Sequence, residues 1–343
     1  MVRSLDQAGA GQTGPPSTQQ AGPSGGIWST TRLKAGTFVR RHKLAPYLLL
    51  LPALAGVGAF ILWPTIQVAV FSFQNVQEPQ VAGLAPTQWV GFANFTRILT
   101  DPEFYTALRN SVFFAVIVVP LTLVVGTGVA LLLNRLGRKM ATFVSMVTMV
   151  AWATPTIAAT VIFYWIFSPD GGLVDWTLQR TPHWLGGSQS FWNGFNWTTS
   201  SALAVYTVLT LLLVWQGFPF IAVSVLAGLK TVPTELYEAA RVDGATPWRV
   251  FWRVTFPLLK PIFLLMTLLS VIWDFGVFPQ AYLLTGSGAN IDEWNLGIYA
   301  YQQAFTNPAN YSLGGAGAFV LTGILLIITV GYLRASVKQG ALT

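Results

Sequence analysis

The chain has 343 residues, of which 53% are apolar and 9% charged, with no cysteine and a formal net charge of +7. Soluble domains carry about a quarter of their residues as charged side chains, so this composition excludes a soluble globular protein and predicts an integral membrane protein. The missing cysteine excludes disulfides, thiol redox chemistry and cysteine-ligated metals.

Residues 1–43 include the run GAGQTGPPSTQQAGPSGG, which has no apolar period, and end on Arg40, Arg41, His42 and Lys43. They are expected to form a disordered basic tail. The apolar stretch that starts at Leu44 exceeds the roughly 7–15 residues of a signal-peptide core, and no A-x-A site closes it, so an uncleaved membrane anchor is expected.

A membrane helix needs about 20 mainly apolar residues. Six segments qualify, roughly 45–72, 107–133, 141–167, 202–229, 258–284 and 313–333. They predict an all-α six-span helical bundle over 44–335. Pro52, Pro64, Pro120, Pro155 and Pro219 lie within these spans, which favours a packed bundle in which neighbours satisfy the freed backbone groups.

Two connections are long. Residues 74–106 contain WVGFANFTRILTDPEFYTALRNS, whose later part reads as a surface helix leading into span two. Residues 168–200 hold Trp176, Trp184, Phe191, Trp192, Phe195 and Trp197. These rings would form an interfacial belt and loop packing, or stack on sugar faces.

Orientation follows from the basic residues. With the tail inside, sixteen Lys/Arg fall on the cytoplasmic side and three (Arg97, Arg109 and Arg180) outside. Both termini are therefore expected in the cytoplasm, with a short C-terminal tail over 336–343. The basic balance reflects membrane topology, and no nucleic-acid partner is expected.

The connection between spans four and five, residues 230–257, is then cytoplasmic. It reads as two short helices joined by a turn. Thr234 is the expected N-cap of the first, with Glu235 and Glu238 near the positive end of its dipole. Leu236, Ala239 and Ala240 form a small-residue face, and Gly244 stops the helix in the left-handed conformation. Thr246 caps the second helix with Pro247 at its first position. Trp248, Phe251, Trp252 and Thr255 are expected on one face and Arg249 and Arg253 on another, against the membrane interface.

Within the spans, Asp274 is the one deep acidic residue, with Trp273, Phe275 and Phe278 near it in sequence. Intramembrane ionisable groups are costly and mark functional candidates. This carboxylate either meets sugar hydroxyls on a substrate path or bonds to a neighbouring helix or the outer interface. Asn134 and Arg135 read as boundary chemistry at the inner end of span two.

The pattern Glu238-Ala239-Ala240, three residues, Gly244, nine residues, Val254-Thr255-Phe256-Pro257 resembles the EAA signature of permease subunits of binding-protein-dependent ABC importers. The family form ends in I-x-L-P, so Val254 stands for Ile and Phe256 for Leu. Asp243-Gly244-Ala245 and Pro261 also match the carbohydrate-permease version. Leu44–Pro52 with Trp63-Pro64, WVGFANF at Trp89–Phe95, and Tyr282-Leu283-Leu284-Thr285-Gly286-Ser287-Gly288 resemble further motifs of its maltose-type branch. One departure stands beside them: the family often has Phe-Asp before the Tyr motif, where Phe278 is followed here by Pro279 and Gln280.

The resemblance implies a type I ABC importer fold in the bacterial cytoplasmic (inner) membrane, forming half of a heterodimer with a second permease subunit. Two ATPase subunits and an extracytoplasmic solute-binding protein would complete the importer, with membrane lipid around it. It implies that Glu238, Ala239, Ala240, Asp243, Gly244 and Pro257 couple to the ATPase. The substrate path would include Trp273, Asp274, Phe278, Gln280 and Tyr282, and the substrate would be a sugar or sugar derivative. No cofactor, metal or catalytic residue is expected in this chain, because a phosphate loop needs G-x-x-x-x-G-K-[ST] and no Gly-Lys pair occurs. The only histidines are His42 and His183. The alternatives are a stand-alone secondary transporter or channel, against which few buried charges speak, and a membrane enzyme, for which no interfacial acidic or His cluster is visible.

Overall fold

The computed structural model describes residues 45–338 apart from 287, 289 and 307. The tail expected over 1–43 therefore lies outside the described residues, as do 339–343 of the C-terminal tail and Ser287 of the Tyr motif. The chain divides into two compact units between Trp63 and Pro64. The described part of the first is helical, with α1 (Ala45–Val57) running into a π-helical turn at Gly58–Leu62.

From there the chain reads α2 (Trp63–Ser72), β1 (Gln74–Asn75), α3 (Glu78–Val81), β2 (Gln88–Trp89), α4 (Ala93–Leu99) and α5 (Pro102–Arg135). The next elements are α6 (Arg138–Ala153), α7 (Thr156–Ile166), α8 (Leu173–Arg180), α9 (Gln189–Trp192) and α10 (Ala202–Leu229). The connector holds α11 (Thr234–Val242) and α12 (Pro247–Val250), a π turn at Phe251–Thr255, and α13 (Phe256–Leu258). Last come α14 (Lys260–Phe275), α15 (Pro279–Leu284), α16 (Leu296–Phe305) and α17 (Tyr311–Lys338).

Four helical stretches are long and apolar enough to cross a membrane, at Leu49–Ser72, Pro102–Arg135, Ala202–Leu229 and Tyr311–Val337. Two further pairs qualify as bent spans. α6 and α7 meet at 92°, and Pro247–Leu258 meets α14 at 77°. The described residues thus hold four such helices, or six spans if each bent pair counts as one.

The breaks before Pro155 and before Pro279 have local causes. A residue before proline is pushed out of the helical region, and Thr154, ahead of Pro155, is extended at φ −64° and ψ 129°. Span three, expected as one helix over 141–167, is therefore two. Span five was expected to reach 284, but its helix stops at Phe275. Gly276 leaves helical geometry, and Phe278 is held off it by Pro279, which opens α15 at its first position. Both π turns immediately precede a proline-bearing segment: Gly58–Leu62 stands before Pro64, and Phe251–Thr255 before Pro257. A proline gives no N–H, and its ring strikes the carbonyl four residues back. A wider turn lets the helix pass that point.

The core is built around α10, which is apolar on every side and buries residues from Ala204 to Leu229. Its closest partner is α5. A Cβ added at Gly126 would stand 2.6 Å from Ile221 Cβ and 3.0 Å from Phe218 O, while one at Gly217 would touch Thr122 Cγ2 at 3.0 Å. Lipid tails are as apolar as leucine, so helices in a membrane gain by close van der Waals packing at small residues. Gly126 and Gly217 supply that approach.

A small hairpin follows the first span. β1 and β2 pair antiparallel, Gln74 opposite Trp89 and Asn75 opposite Gln88. The WVGFANF motif explains itself here. Gly91 turns the chain at φ 59°, and the Asn94 amide donates to Ser72 O and Gln74 O at 2.9 Å each. Ser72 O lies at the end of α2, where helical partners run out, and Gln74 O at the start of β1.

Gly126→Val should push α5 from α10 and cost about 1–3 kcal/mol. Thermal unfolding of the purified protein in detergent would show a transition several degrees lower. Gly128→Val, at a position with open space around it, should leave that transition in place; equal effects at both positions would overturn the close-packing argument.

Candidate functional site

The connector after α10 is locally determined. α11 starts at Thr234 with Pro233 in the N-cap position and no side-chain cap, so the expectation of Thr234 as N-cap is one residue late. The pre-set φ of Pro233 opens the helix in its place. At the other end the Ala245 N–H donates to Ala240 O at 2.9 Å and the Gly244 N–H to Arg241 O at 3.0 Å. Those two bonds form the Schellman closure, which requires a left-handed residue, and Gly244 supplies it at φ 71°. The expectation for Gly244 holds. Thr246 Oγ1 then accepts the Arg249 N–H at 3.4 Å, with Pro247 at the first helical position, as the sequence indicates.

No residue of α11 is buried. Leu236 and Ala239 are exposed, and Val242 is 88% exposed, so an apolar strip stands uncovered on an otherwise polar helix. The opposite side is held. Tyr237 packs against the cluster containing Val232 and Leu259, and Thr255 Oγ1 meets its hydroxyl at 3.4 Å. Beneath lies a cleft of about 770 Å³ whose charged lining is Arg135, Lys230, Glu238 and Arg241. The expected aromatic face needs correction. The π turn rotates Thr255 inward, where it is buried, while Trp248 and Trp252 stay exposed. The ring series runs instead from Trp248 to Trp252 to Phe256, with centroids 5.6 and 5.1 Å apart.

The structure brings Glu238, Ala239, Ala240, Asp243 and Gly244 onto α11 and its stop. Pro257 stands apart, exposed in α13 beyond the π turn. The other five candidates fall into separate groups along the broken fifth span. The Trp273 ring lies edge-on to Phe220 at 5.5 Å, and Phe220 stacks on Trp152 at 5.6 Å. Asp274 is half-buried, and its carboxylate has no hydrogen-bond or ionic partner among the described residues. Of the roles expected of it, on a substrate path, in a bond to a neighbouring helix or at the outer interface, the helix bond is therefore not made. Phe278 and Tyr282 gather with Tyr301, at centroid distances of 5.0 and 4.8 Å.

Gln280 is buried and joins a ladder that sequence reading missed. Its Nε2 donates to Gln216 Oε1 at 3.3 Å, and Gln216 Nε2 donates to Thr154 O at 3.2 Å. Thr154 O is the carbonyl freed by the bend before Pro155. At the second break Asn295 Nδ2 donates to Val277 O at 2.6 Å. The available signal was a lone amide inside an apolar run, as Gln216 is in LLLVWQGFPF.

On the side of the long loops, Asn110 Nδ2 donates to Asp292 O and Trp294 O at 2.9 Å each. The Tyr299 hydroxyl donates to Asp101 Oδ2 at 2.8 Å. Burial, reinforced by that carboxylate, raises the Tyr299 phenol above its ordinary value and keeps it a donor. In the tryptophan-rich loop, Trp192 stacks on Trp197 at 5.4 Å and Trp197 Nε1 donates to the buried Asp175 at 2.7 Å. Trp192, Phe195 and Trp197 are engaged with one another, while Trp184 stays 82% exposed.

The comparisons agree with this architecture. Residues 119–339 match the family described as binding-protein-dependent transport system inner membrane component. The chain is 40% identical to the diacetylchitobiose uptake system permease protein DasB of Streptomyces coelicolor, over 95% of this chain and 96% of that one. It is 30% identical to the trehalose/maltose transport system permease protein MalF of Thermococcus litoralis, over 89% and 96%. Among solved structures, a bacterial alginate ABC transporter in complex with an alginate pentasaccharide-bound periplasmic protein has a chain superposing with TM-score 0.71 at 19% identity, over 90% of this chain and 98% of that one. The chain belongs to the family of binding-protein-dependent inner membrane transport components, as a membrane-spanning permease subunit of an ABC importer.

Proposed function

We propose that this permease carries a sugar or sugar derivative inward across a bacterial cytoplasmic membrane as one half of a heterodimer. ATP is hydrolysed by two separate subunits, and an extracytoplasmic solute-binding protein delivers the substrate. The observation that carries the coupling role is α11 itself: a helix with no buried residue, fixed at its end by the Gly244 closure and uncovered along Leu236, Ala239 and Val242. An apolar strip left in water beside charged residues suits a protein groove, and the ATPase is the partner that the family chemistry supplies. The sugar reading draws on the relatives that act on diacetylchitobiose and on trehalose or maltose. It also fits Trp273 beside Asp274, since sugars offer apolar ring faces and hydroxyl donors together.

Gly244→Asp strains a position at φ 71°, and Glu238→Lys reverses a charge beside the cleft. Both variants should insert normally while ATP hydrolysis loses its dependence on substrate-loaded binding protein, as read in proteoliposomes. Wild-type uptake in these variants would remove α11 from the coupling role.

Asp274→Asn keeps the shape of the side chain and removes its charge. A charged hydrogen bond to a hydroxyl contributes about 1.5–3 kcal/mol, so sugar uptake should fall about tenfold or more with thermal stability held or raised. A loss of stability with uptake unchanged would place Asp274 in the scaffold and not on the path.

A further inference from the structure

A second cleft, which shares Leu131, Arg135, Pro247 and Phe251 with the one beneath α11, lies between the last turns of α5 and the segment running from α12 into α14. Its volume is about 690 Å³, within the roughly 300–1,000 Å³ of small-molecule sites. The walls are apolar, with Val124 and Leu131 on one side and Phe263 on the other. Thr267 on the wall donates its hydroxyl back to Phe263 O at 2.7 Å, so its one donor is already used. Trp248 and Trp252 form one rim and are 72% and 46% exposed. Arg135 and Lys260 also line the cleft, and no carboxylate does.

Both cations stand at helix ends: Arg135 is the last residue of α5 and Lys260 the first of α14. Neither has a hydrogen-bond or ionic partner among the described residues. An apolar trough lined by two cations from helix ends, with tryptophans at its rim, has the polarity profile of a lipid molecule. Acyl chains fit the walls, indoles prefer the headgroup boundary, and the cations require a negative headgroup. A subunit interface would be depleted of charge at its centre, which makes protein the poorer occupant.

We propose that this cleft is a binding site for an anionic phospholipid, with the phosphate between Arg135 and Lys260 and an acyl chain along Val124, Leu131 and Phe263. The leaflet is the cytoplasmic one if the connector faces the cytoplasm; the chemistry does not depend on that. Binding next to Trp248 and Trp252 would hold the α12 segment against α5.

The test uses the full chain with the subunits that co-purify with it, reconstituted in phosphatidylcholine bilayers. A minor fraction of brominated phosphatidylglycerol or brominated phosphatidylcholine is added. Bromine quenches indole fluorescence on contact, and the difference between the wild type and Trp248→Phe/Trp252→Phe isolates the cleft signal. Phosphatidylglycerol should quench that signal with a preference of about fivefold for each cation over phosphatidylcholine. Arg135→Gln and Lys260→Gln should each lose about one such factor. The pair of substitutions should abolish the preference, and Arg135→Lys with Lys260→Arg should retain it. Persisting phosphatidylcholine quenching in the glutamine variants shows that the cleft is intact.

Equal quenching by both lipids in the wild type would overturn the site as ordinary lipid-facing surface. No quenching by either would overturn it in favour of a protein surface covering the cleft. Both readings come from the wild-type cations and survive a folding failure of the glutamine variants.

Discussion

A backbone carbonyl left open inside a membrane has no water to bond to, and each such group costs several kcal/mol. The architecture depends on how this chain meets that constraint where its helices break. Bends before Pro155 and before Pro279 release Thr154 O and Val277 O, and the amides of Gln216 and Asn295 take them. At the end of the first span Asn94 does the same for Ser72 O. Amides suit this task because they donate without bringing a charge into the bilayer. The break before Pro155 therefore turns its span through 92° with the freed carbonyl bonded.

Those breaks shape the middle of the protein. Because Gln216 bonds to Thr154 O and accepts from Gln280, three segments that are remote in sequence meet at one polar ladder. Trp273 and Asp274 sit at the end of α14 just before the second break, with Phe220 from α10 against the indole. Continuous helices would have no reason to place amides there. The polar ladder is thus a by-product of satisfying bent backbone, and Asp274 stands beside Trp273 with no side-chain partner among the described residues.

Local and distant determinants differ in how far they can be read from sequence. The Gly244 stop and the Thr246–Pro247 start of α12 were legible because each depends on residues within one turn. The all-α membrane class was legible because it follows from composition. The bends were not: Pro155 stands out in a hydropathy count only as a tolerable interruption, since hydropathy measures length and polarity but carries no direction. The π turn at Phe251–Thr255 was also hidden, and it sends Thr255 inward while leaving Trp252 outside. The ladder was invisible because Gln216, Gln280 and Thr154 share no periodicity, and their association exists only after the spans have packed. Asp274 was found, yet its lack of a helix partner could be learned only from its surroundings.

The same geometry constrains how movement at the connector could reach the bundle. α11 leaves α10 after the short segment ending at Pro233, and Tyr237 ties it to Thr255 in the π turn. A displacement of α11 therefore acts on two elements at once: the end of α10, and the α12–α13 segment that bends into α14. Those two helices lead respectively to Gln216 with Phe220 and to Trp273 with Asp274. Rigid helices transmit a shift of their ends with little loss, whereas the 77° bend at Leu259 converts motion along α12 into motion across α14. The aromatic series Trp248, Trp252 and Phe256 continues to Phe263 at 5.1 Å, so rings from the two arms of the bend touch. A shift of α11 would therefore reach the ladder from two sides, through α10 at Gln216 and through α14 toward Gln280.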